Sequence, residues 1–386
     1  MTLKIGRAAH GQPFMVMDVI AAANAQAAKS HQERTRVLRM EVGQPATGAP
    51  AGAITAVKAA LASGRPLGYT EALGLPSLRA RIAQHYLDWY GLKVSPERIA
   101  VTTGASGAFP LAFLAAFDPG DRIALAAPYY PPYVNILIAL GLTPVILETE
   151  AERGFQPSLS ALKRLDPPPE GLILASPANP TGAMLTPEEF SAIVAWCDAE
   201  KVRLLSDEIY HGISYGAPFT TAAATSPNAI VVNSFSKYFS MTGWRIGWMV
   251  LPEELVRPVE QLAQNFFISA PHISQIAAEA AFDCESELSL HIARYRRARA
   301  LLLEALPRAG FRIPSSPDGA FYIYADIGAR DEDSVRFCTR MLTEIGIAAT
   351  PGVDFDQARG RRFVRFSYAG PEADMQEAAE RLIRWG

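Results

Sequence analysis

The chain has 386 residues, 49% of them hydrophobic and 19% charged, and carries a formal charge of −3. That apolar fraction excludes a disordered chain, and 28 glycines with 29 prolines exclude a collagen-like or low-complexity one. With no basic block in the sequence, neither a nucleic-acid-binding arm nor a polybasic membrane anchor is expected.

The opening stretch, MTLKIGRAAHGQPFMVMDV, lacks the apolar core of a signal peptide. An amphipathic helix is predicted over about Val16–Ser30, leading into the turn Gly43-Gln44-Pro45. Ile99–Thr103 then reads as a strand and Ala105–Phe117 as a helix. Arg122–Ala126 reads as a strand, Tyr133–Leu140 as a helix and Pro144–Leu147 as a strand. The apolar run 136–147 is too short, and too broken by Gly141, Thr143 and Pro144, to span a membrane. Strands at Leu172–Ser176, Val202–Ser206 and Ile230–Asn233 continue the series, with a helix at Pro187–Glu200. Such alternation implies βαβ units and an α/β fold, with a mostly parallel sheet covered by helices on both faces.

The pattern is helical from about Pro252 to Leu306 and breaks at Pro307 and Gly310. A strand at Ala320–Asp326, a helix at Ser334–Ile345 and a strand at Phe363–Tyr368 follow. A large α/β domain is therefore expected at 46–290, with a smaller α+β domain built from 1–45 and 291–386. Cys197, Cys284 and Cys338 form no C-x-x-C pair, which argues against a zinc ribbon or disulfide framework and suits a reducing, cytoplasmic setting. No metal site is expected.

In an open parallel sheet, ligands bind beyond the carboxyl ends of the strands. Those positions hold Gly104-Ala105-Ser106-Gly107 at a helix start, Asn179-Pro180-Thr181-Gly182, Asp207-Glu208-Ile209-Tyr210 and Ser234-Phe235-Ser236-Lys237. The 28 residues between Glu208 and Lys237 contain no Asp, Glu, Lys or Arg, and the next charge is Arg245. A lysine so isolated is expected to be desolvated, which lowers its pKa and frees a nucleophilic amine. The helix start suits an anion, because small residues let backbone N–H groups approach it. Singly, each has a plain structural explanation: a surface lysine, a tight turn, a β-turn at 179–182, a helix N-cap at Asp207. Together they suit pyridoxal 5′-phosphate, whose aldehyde needs an amine, whose phosphate needs donors and whose ring nitrogen needs an acid.

The segment Ser234-Phe-Ser-Lys-Tyr-Phe-Ser-Met-Thr-Gly-Trp-Arg-Ile-Gly247 resembles the lysine-attachment motif of the fold-type I pyridoxal-phosphate enzymes, class I/II aminotransferase family. Gly43-Gln-Pro, Tyr69, Gly74, Gly104, Pro128-Tyr-Tyr, Asn179-Pro-Thr-Gly, Asp207-Glu-Ile-Tyr and Arg365-Phe-Ser follow the family's order along essentially the whole chain. The phosphate loop reads Gly-Ala-Ser where many relatives have two glycines and a Lys, Ser or Thr, so Ala105 would offer only its N–H.

The resemblance implies a seven-stranded-type sheet and transfer of an amino group from an L-amino acid to a 2-oxo acid by a ping-pong route. By the same resemblance Lys237 would form the Schiff base and then act as general base. Asp207 would pair with the ring nitrogen, Asn179 and Tyr210 would serve the 3-oxygen, and Tyr130 would lie on the ring face. Ala105, Ser106, Ser234, Ser236 and Arg245 would hold the phosphate, joined by Tyr69 from a neighbouring subunit of a homodimer. Arg365, with Asn179 and the Gly43 backbone, would take the substrate carboxylate. A β-lyase or decarboxylating enzyme on the same fold is the alternative, and a non-enzymatic sensor domain a more distant one. No single residue reads the substrate side chain, although Arg39 and Arg65 are basic candidates.

Overall fold

The apolar runs pair into one seven-stranded sheet in the structure, a computed structural model that describes residues 3–11, 13–33 and 36–386. Its strands are β1 (Ile99–Thr102), β2 (Arg122–Ala127), β3 (Thr143–Glu148), β4 (Gly171–Ala175), β5 (Arg203–Asp207), β6 (Ile230–Ser234) and β7 (Gly247–Val250). The spatial order is β1-β7-β6-β5-β4-β2-β3, with only β7 antiparallel to its neighbours. β1, β6 and β7 are buried along their whole length, as expected of strands covered by helices on both faces. The expected α/β fold is present. The resemblance implies seven strands, and β7 is the one the residue pattern leaves unassigned, because Gly-Trp-Met-Val runs on from the end of the lysine motif.

The helix at Pro187–Glu200 has the predicted ends. Thr186 and Glu189 form a reciprocal capping box, and Pro187 occupies the first turn, where its missing N–H costs nothing. The helical pattern from Pro252 resolves into three helices, Glu253–Phe266, His272–Ala281 and Glu285–Arg308. The first break carries Ile268 in the left-handed region (φ 65°) and ends at Pro271, the residue just before the next helix. The third helix runs one residue past Pro307, whose ring sits in the last turn.

The two ends of the chain meet. Leu38–Arg39 pairs in parallel with Ile347–Ala348. Beside this lies an antiparallel sheet of Thr350–Pro351, Phe363–Ser367 and Tyr322–Asp326. Helix α1 (Met15–Glu33) packs nearby through Ala23, which is buried with Leu342 and Ala348. Among the described residues, no helix is long and apolar enough to cross a membrane.

Candidate active site

Pairing register brings the carboxyl ends of the central strands side by side. Thr102 of β1 and Ser234 of β6 both face Gly247 of β7, while Asp207 of β5 lies between Val232 and Ala175. They open onto a cavity of about 230 Å³. Helix α2 (Ala105–Ala116) starts at its edge, after Gly104 at φ 75°. A side chain on Gly104 would stand 2.7 Å from Nη2 of Arg245, and one on Gly247 would stand 3.1 Å from the Ala105 nitrogen. These glycines let the helix start, the guanidinium and β7 close on one another.

Arg245 itself adopts φ 51°, and its Nη1 donates to the Thr242 carbonyl at 2.9 Å. Its Nη2 lies 3.5 Å from the Ser106 hydroxyl. The Ser234 hydroxyl lies 3.0 Å from that of Ser236 and accepts from the Ser236 N–H at 3.1 Å. Two hydroxyls, a guanidinium and the N-terminus of a twelve-residue helix thus share one end of the cavity. That end is built for an anion.

Lys237 lies further along the cavity, on a loop held by the buried rings of Phe235 and Phe239. Phe235 packs against Trp248 and Phe239 with centroids 5.0 and 4.8 Å away. The ammonium donates to the Gly43 carbonyl at 2.6 Å. Burial lowers its pKa to about 8, helped by the positive charge of Arg365 and opposed by Asp207. A side chain at Gly43 would collide with the Tyr322 hydroxyl at 1.8 Å, so only glycine fits there.

Asp207 is buried. It accepts from the Tyr133 hydroxyl and from the Ile209 N–H at 3.1 Å. Burial pushes its pKa up to about 6, against the pull of those donors and of Lys237. The Tyr210 and Tyr322 hydroxyls are 2.7 Å apart, and burial raises both phenol pKa values. Tyr130 meets Tyr133 edge-on, with centroids 5.4 Å apart.

Arg365 is 2% exposed and lies between the rings of Tyr322 and Phe355, 4.6 and 4.7 Å from their centroids. Its Nη1 donates to Asn179 Oδ1 at 2.9 Å, and its Nη2 to the Glu41 carbonyl and to the Thr350 hydroxyl at 3.2 Å. Its Nε is buried without a partner. A guanidinium that lines the cavity and is held by a side-chain amide, a carbonyl and a hydroxyl is oriented in advance for a carboxylate.

The cavity thus gathers every residue that the resemblance assigns to the cofactor or the substrate carboxylate, with one exception. Gly43, Ala105, Ser106 and Tyr130 line it, as do Asn179, Asp207 and Tyr210, and so do Ser234, Ser236, Lys237, Arg245 and Arg365. Tyr69 does not reach it and is 82% exposed. Arg39 is occupied by Glu41 (2.6 Å) and Asn24 (2.7 Å), and neither it nor the exposed Arg65 lines the cavity.

Sequence reasoning missed Tyr133, Tyr322 and an apolar wall of Phe14, Val16, Met17, Ile20 and Val42. The repeat Tyr129-Tyr130-Pro-Pro-Tyr133 held a usable signal: it places Tyr133 at the start of helix α3 (Pro132–Ala139), one turn beyond Tyr130. Tyr322 sits inside a strand-like run and carried none.

Residues 35–382 match the model of the family described as aminotransferase class I and II. The chain is 48% identical over 389 residues to the valine–pyruvate aminotransferase of Mycobacterium tuberculosis, covering 100% of this chain and 99% of that protein. It is 35% identical over 369 residues to the aspartate/prephenate aminotransferase of Thermus thermophilus, covering 94% of each. The crystal structure of an aminotransferase from Mycobacterium tuberculosis superposes with a TM-score of 0.95 at 48% identity, over 100% of this chain and 99% of that one.

Proposed function

Since the chain belongs to the class I and II aminotransferase family, we propose that it works with pyridoxal 5′-phosphate held in the cavity around Lys237. The protein is an enzyme that moves an amino group between an amino acid and a 2-oxo acid. One observation carries the proposal: a depressed lysine, a buried acid and a half-satisfied arginine converge on one cavity. When bound, pyridoxal phosphate supplies an aldehyde that takes up the amino group and a ring that stores the electron pair left by the departing proton.

The residues present fit that group. Asp207 is a buried carboxyl short of a cation, and a protonated ring nitrogen beside it would restore its charged form. Asn179 and Tyr210 are the donors for the 3-oxygen, and Tyr130 is the aromatic face. Ser106, Ser234, Ser236, Arg245 and the Ala105 N–H make the phosphate end, which is supported by the anion-ready geometry there.

In this reading Arg365 takes the substrate carboxylate with its guanidinium, while Asn179 keeps that group in plane. Lys237 would hold the cofactor through its amine and, when free, would stand at the reacting centre. Its Nζ would accept the Cα proton and hand it back in the second proton transfer. The same lysine serves both halves of a ping-pong cycle.

The donor we infer is a neutral aliphatic L-amino acid. Phe14, Val16, Met17, Ile20 and Val42 offer its side chain an apolar surface, and the lining cations Lys237, Arg245 and Arg365 each have another task. A relative named for valine and pyruvate supports this. We further read 46–290 as the cofactor-binding domain, and 1–45 with 291–386 as the smaller domain that brings Arg365. A homodimer agrees with Tyr69, whose neighbour Thr70 bonds to Ser269 beside the exposed Phe266, Phe267 and Ile268. Three free cysteines agree with a cytoplasmic setting.

The test is a donor panel of valine, leucine, alanine and aspartate against pyruvate and 2-oxoglutarate, run beside Lys237→Ala. Wild type should prefer the aliphatic donors and be trapped at Lys237 by borohydride. Transfer by the variant at the wild-type rate would refute the assignment.

A further inference from the structure

We propose that Asp354 is a positioning residue for substrate recognition, holding the apolar wall of α1 at a set distance from the carboxylate clamp Arg365. This rests on the reading above that Arg365 binds the substrate carboxylate and that the α1 wall meets its side chain.

Helix α1 opens after Pro13-Phe14, neither of which can cap it with a side chain. The first N–H groups of an α-helix have no partner within the helix. Here the donors at Met15 and Val16 are taken by Asp354, at 3.0 and 3.2 Å on its two carboxylate oxygens. A residue more than three hundred positions away does the work of a cap, with a negative charge at the positive end of the helix dipole. Asp354 is 7% exposed, so this contact is shielded from water.

The same turn, Gly352–Asp354, continues into Phe355, whose ring lies 4.7 Å from the Arg365 guanidinium. The Phe355 carbonyl accepts from the Tyr129 N–H at 2.9 Å, tying the turn to the segment that carries Tyr130. Phe14 meets the Tyr130 ring edge-on, with centroids 5.8 Å apart. One short turn thus fixes the α1 wall, Arg365 and the Tyr130 segment relative to each other. The distance from wall to clamp decides how large a side chain is held once its carboxylate is bound. A donor reaching the wall should feel a displacement of α1, and a donor with only a methyl group should not.

The experiment uses the full-length holoenzyme and the half-reaction with amino acid alone, followed by the cofactor's visible absorption. Asp354→Ala should weaken apparent valine affinity by about tenfold, the size expected for a lost charged cap expressed in binding. The limiting rate and cofactor affinity should stay within about twofold of wild type, as should alanine affinity, because no catalytic group has moved. Asp354→Asn, which keeps the volume and one acceptor, should give a smaller shift in the same direction. Ile20→Ala should lose valine affinity selectively with Asp354 intact, which checks the wall itself, and Asp354→Asn decides the inference if Asp354→Ala does not fold. Equal losses for valine and alanine, or none for either, would overturn the inference while leaving the functional reading intact. A wild type that binds both donors alike would overturn the aliphatic-donor reading and the inference with it.

Discussion

The Tyr133 hydroxyl donates to Oδ2 of Asp207, and both side chains are buried. This bond, with that from the Ile209 N–H, opposes the burial that pushes the carboxyl up to about 6. Tyr133→Phe leaves the ring packing in place and removes one donor from a charged acceptor. A hydrogen bond to a charged group contributes about 1.5–3 kcal/mol, so turnover should fall roughly ten- to a hundredfold. Cofactor affinity should weaken in step, as measured by equilibrium dialysis, with the circular dichroism spectrum unchanged.

The low Lys237 pKa sets the pH at which the free protein captures its cofactor. The neutral amine is the nucleophile, and a pKa of about 8 leaves about a tenth of the molecules neutral at pH 7, far more than an ordinary lysine. The rate of Schiff base formation in the cofactor-free protein should rise with pH through about 8 and level off above it. An inflection near the ordinary lysine value, about 10.4, would mean that burial does not depress this amine.

Arg365→Lys keeps the charge but not the fork. A lysine ammonium cannot bond Asn179, Glu41 and Thr350 while presenting a further planar donor to a carboxylate. The KM values for amino acid and oxo acid should both rise by at least tenfold, and borohydride trapping at Lys237 should persist. Unchanged KM values would remove Arg365 from carboxylate binding.

Glu208, directly after Asp207, is buried in a separate polar network. Its Oε1 accepts from the Ser206 hydroxyl at 2.9 Å and the Ala222 N–H at 2.8 Å, while Oε2 has no hydrogen-bond partner. His211 lies 3.5 Å away, its Nε2 against the Ser176 carbonyl and its Nδ1 against the Tyr90 hydroxyl. The carbonyl requires the proton on Nε2, so Nδ1 accepts from Tyr90 and presents no donor to Glu208. Burial accordingly pushes Glu208 up to about 7 and His211 down to about 3.

For an acid whose folded pKa is raised, the native state favours the protonated form. That advantage is complete below the unfolded pKa near 4.5 and is lost as pH rises through about 7. Glu208→Gln should remove this contribution, so wild type should lose on the order of 3 kcal/mol relative to the variant between pH 4.5 and 8. Denaturant unfolding of both proteins across that range checks it. Parallel pH profiles would show that Glu208 does not titrate there.

The chemistry was legible in the sequence because much of it is local. Ser234, Ser236, Lys237 and Arg245 lie within one loop and the strand it feeds, and the strand-end positions of Ala105, Asn179 and Asp207 follow from the βαβ alternation. An uncharged stretch around one lysine signals burial without any knowledge of its neighbours. What the sequence could not contain is the set of contacts that register and domain packing create between distant segments. Tyr133 reaches Asp207 across 74 positions, Thr350 and the Glu41 carbonyl hold Arg365, and Asp354 caps a helix 339 positions away. β7 runs antiparallel because pairing with β1 and β6 sets its direction, which four apolar residues do not encode. Local pattern names the reacting groups, since each needs only its own neighbours to be recognisable. Tertiary structure alone decides which groups tune them and which wall the substrate meets, because those depend on distances between segments.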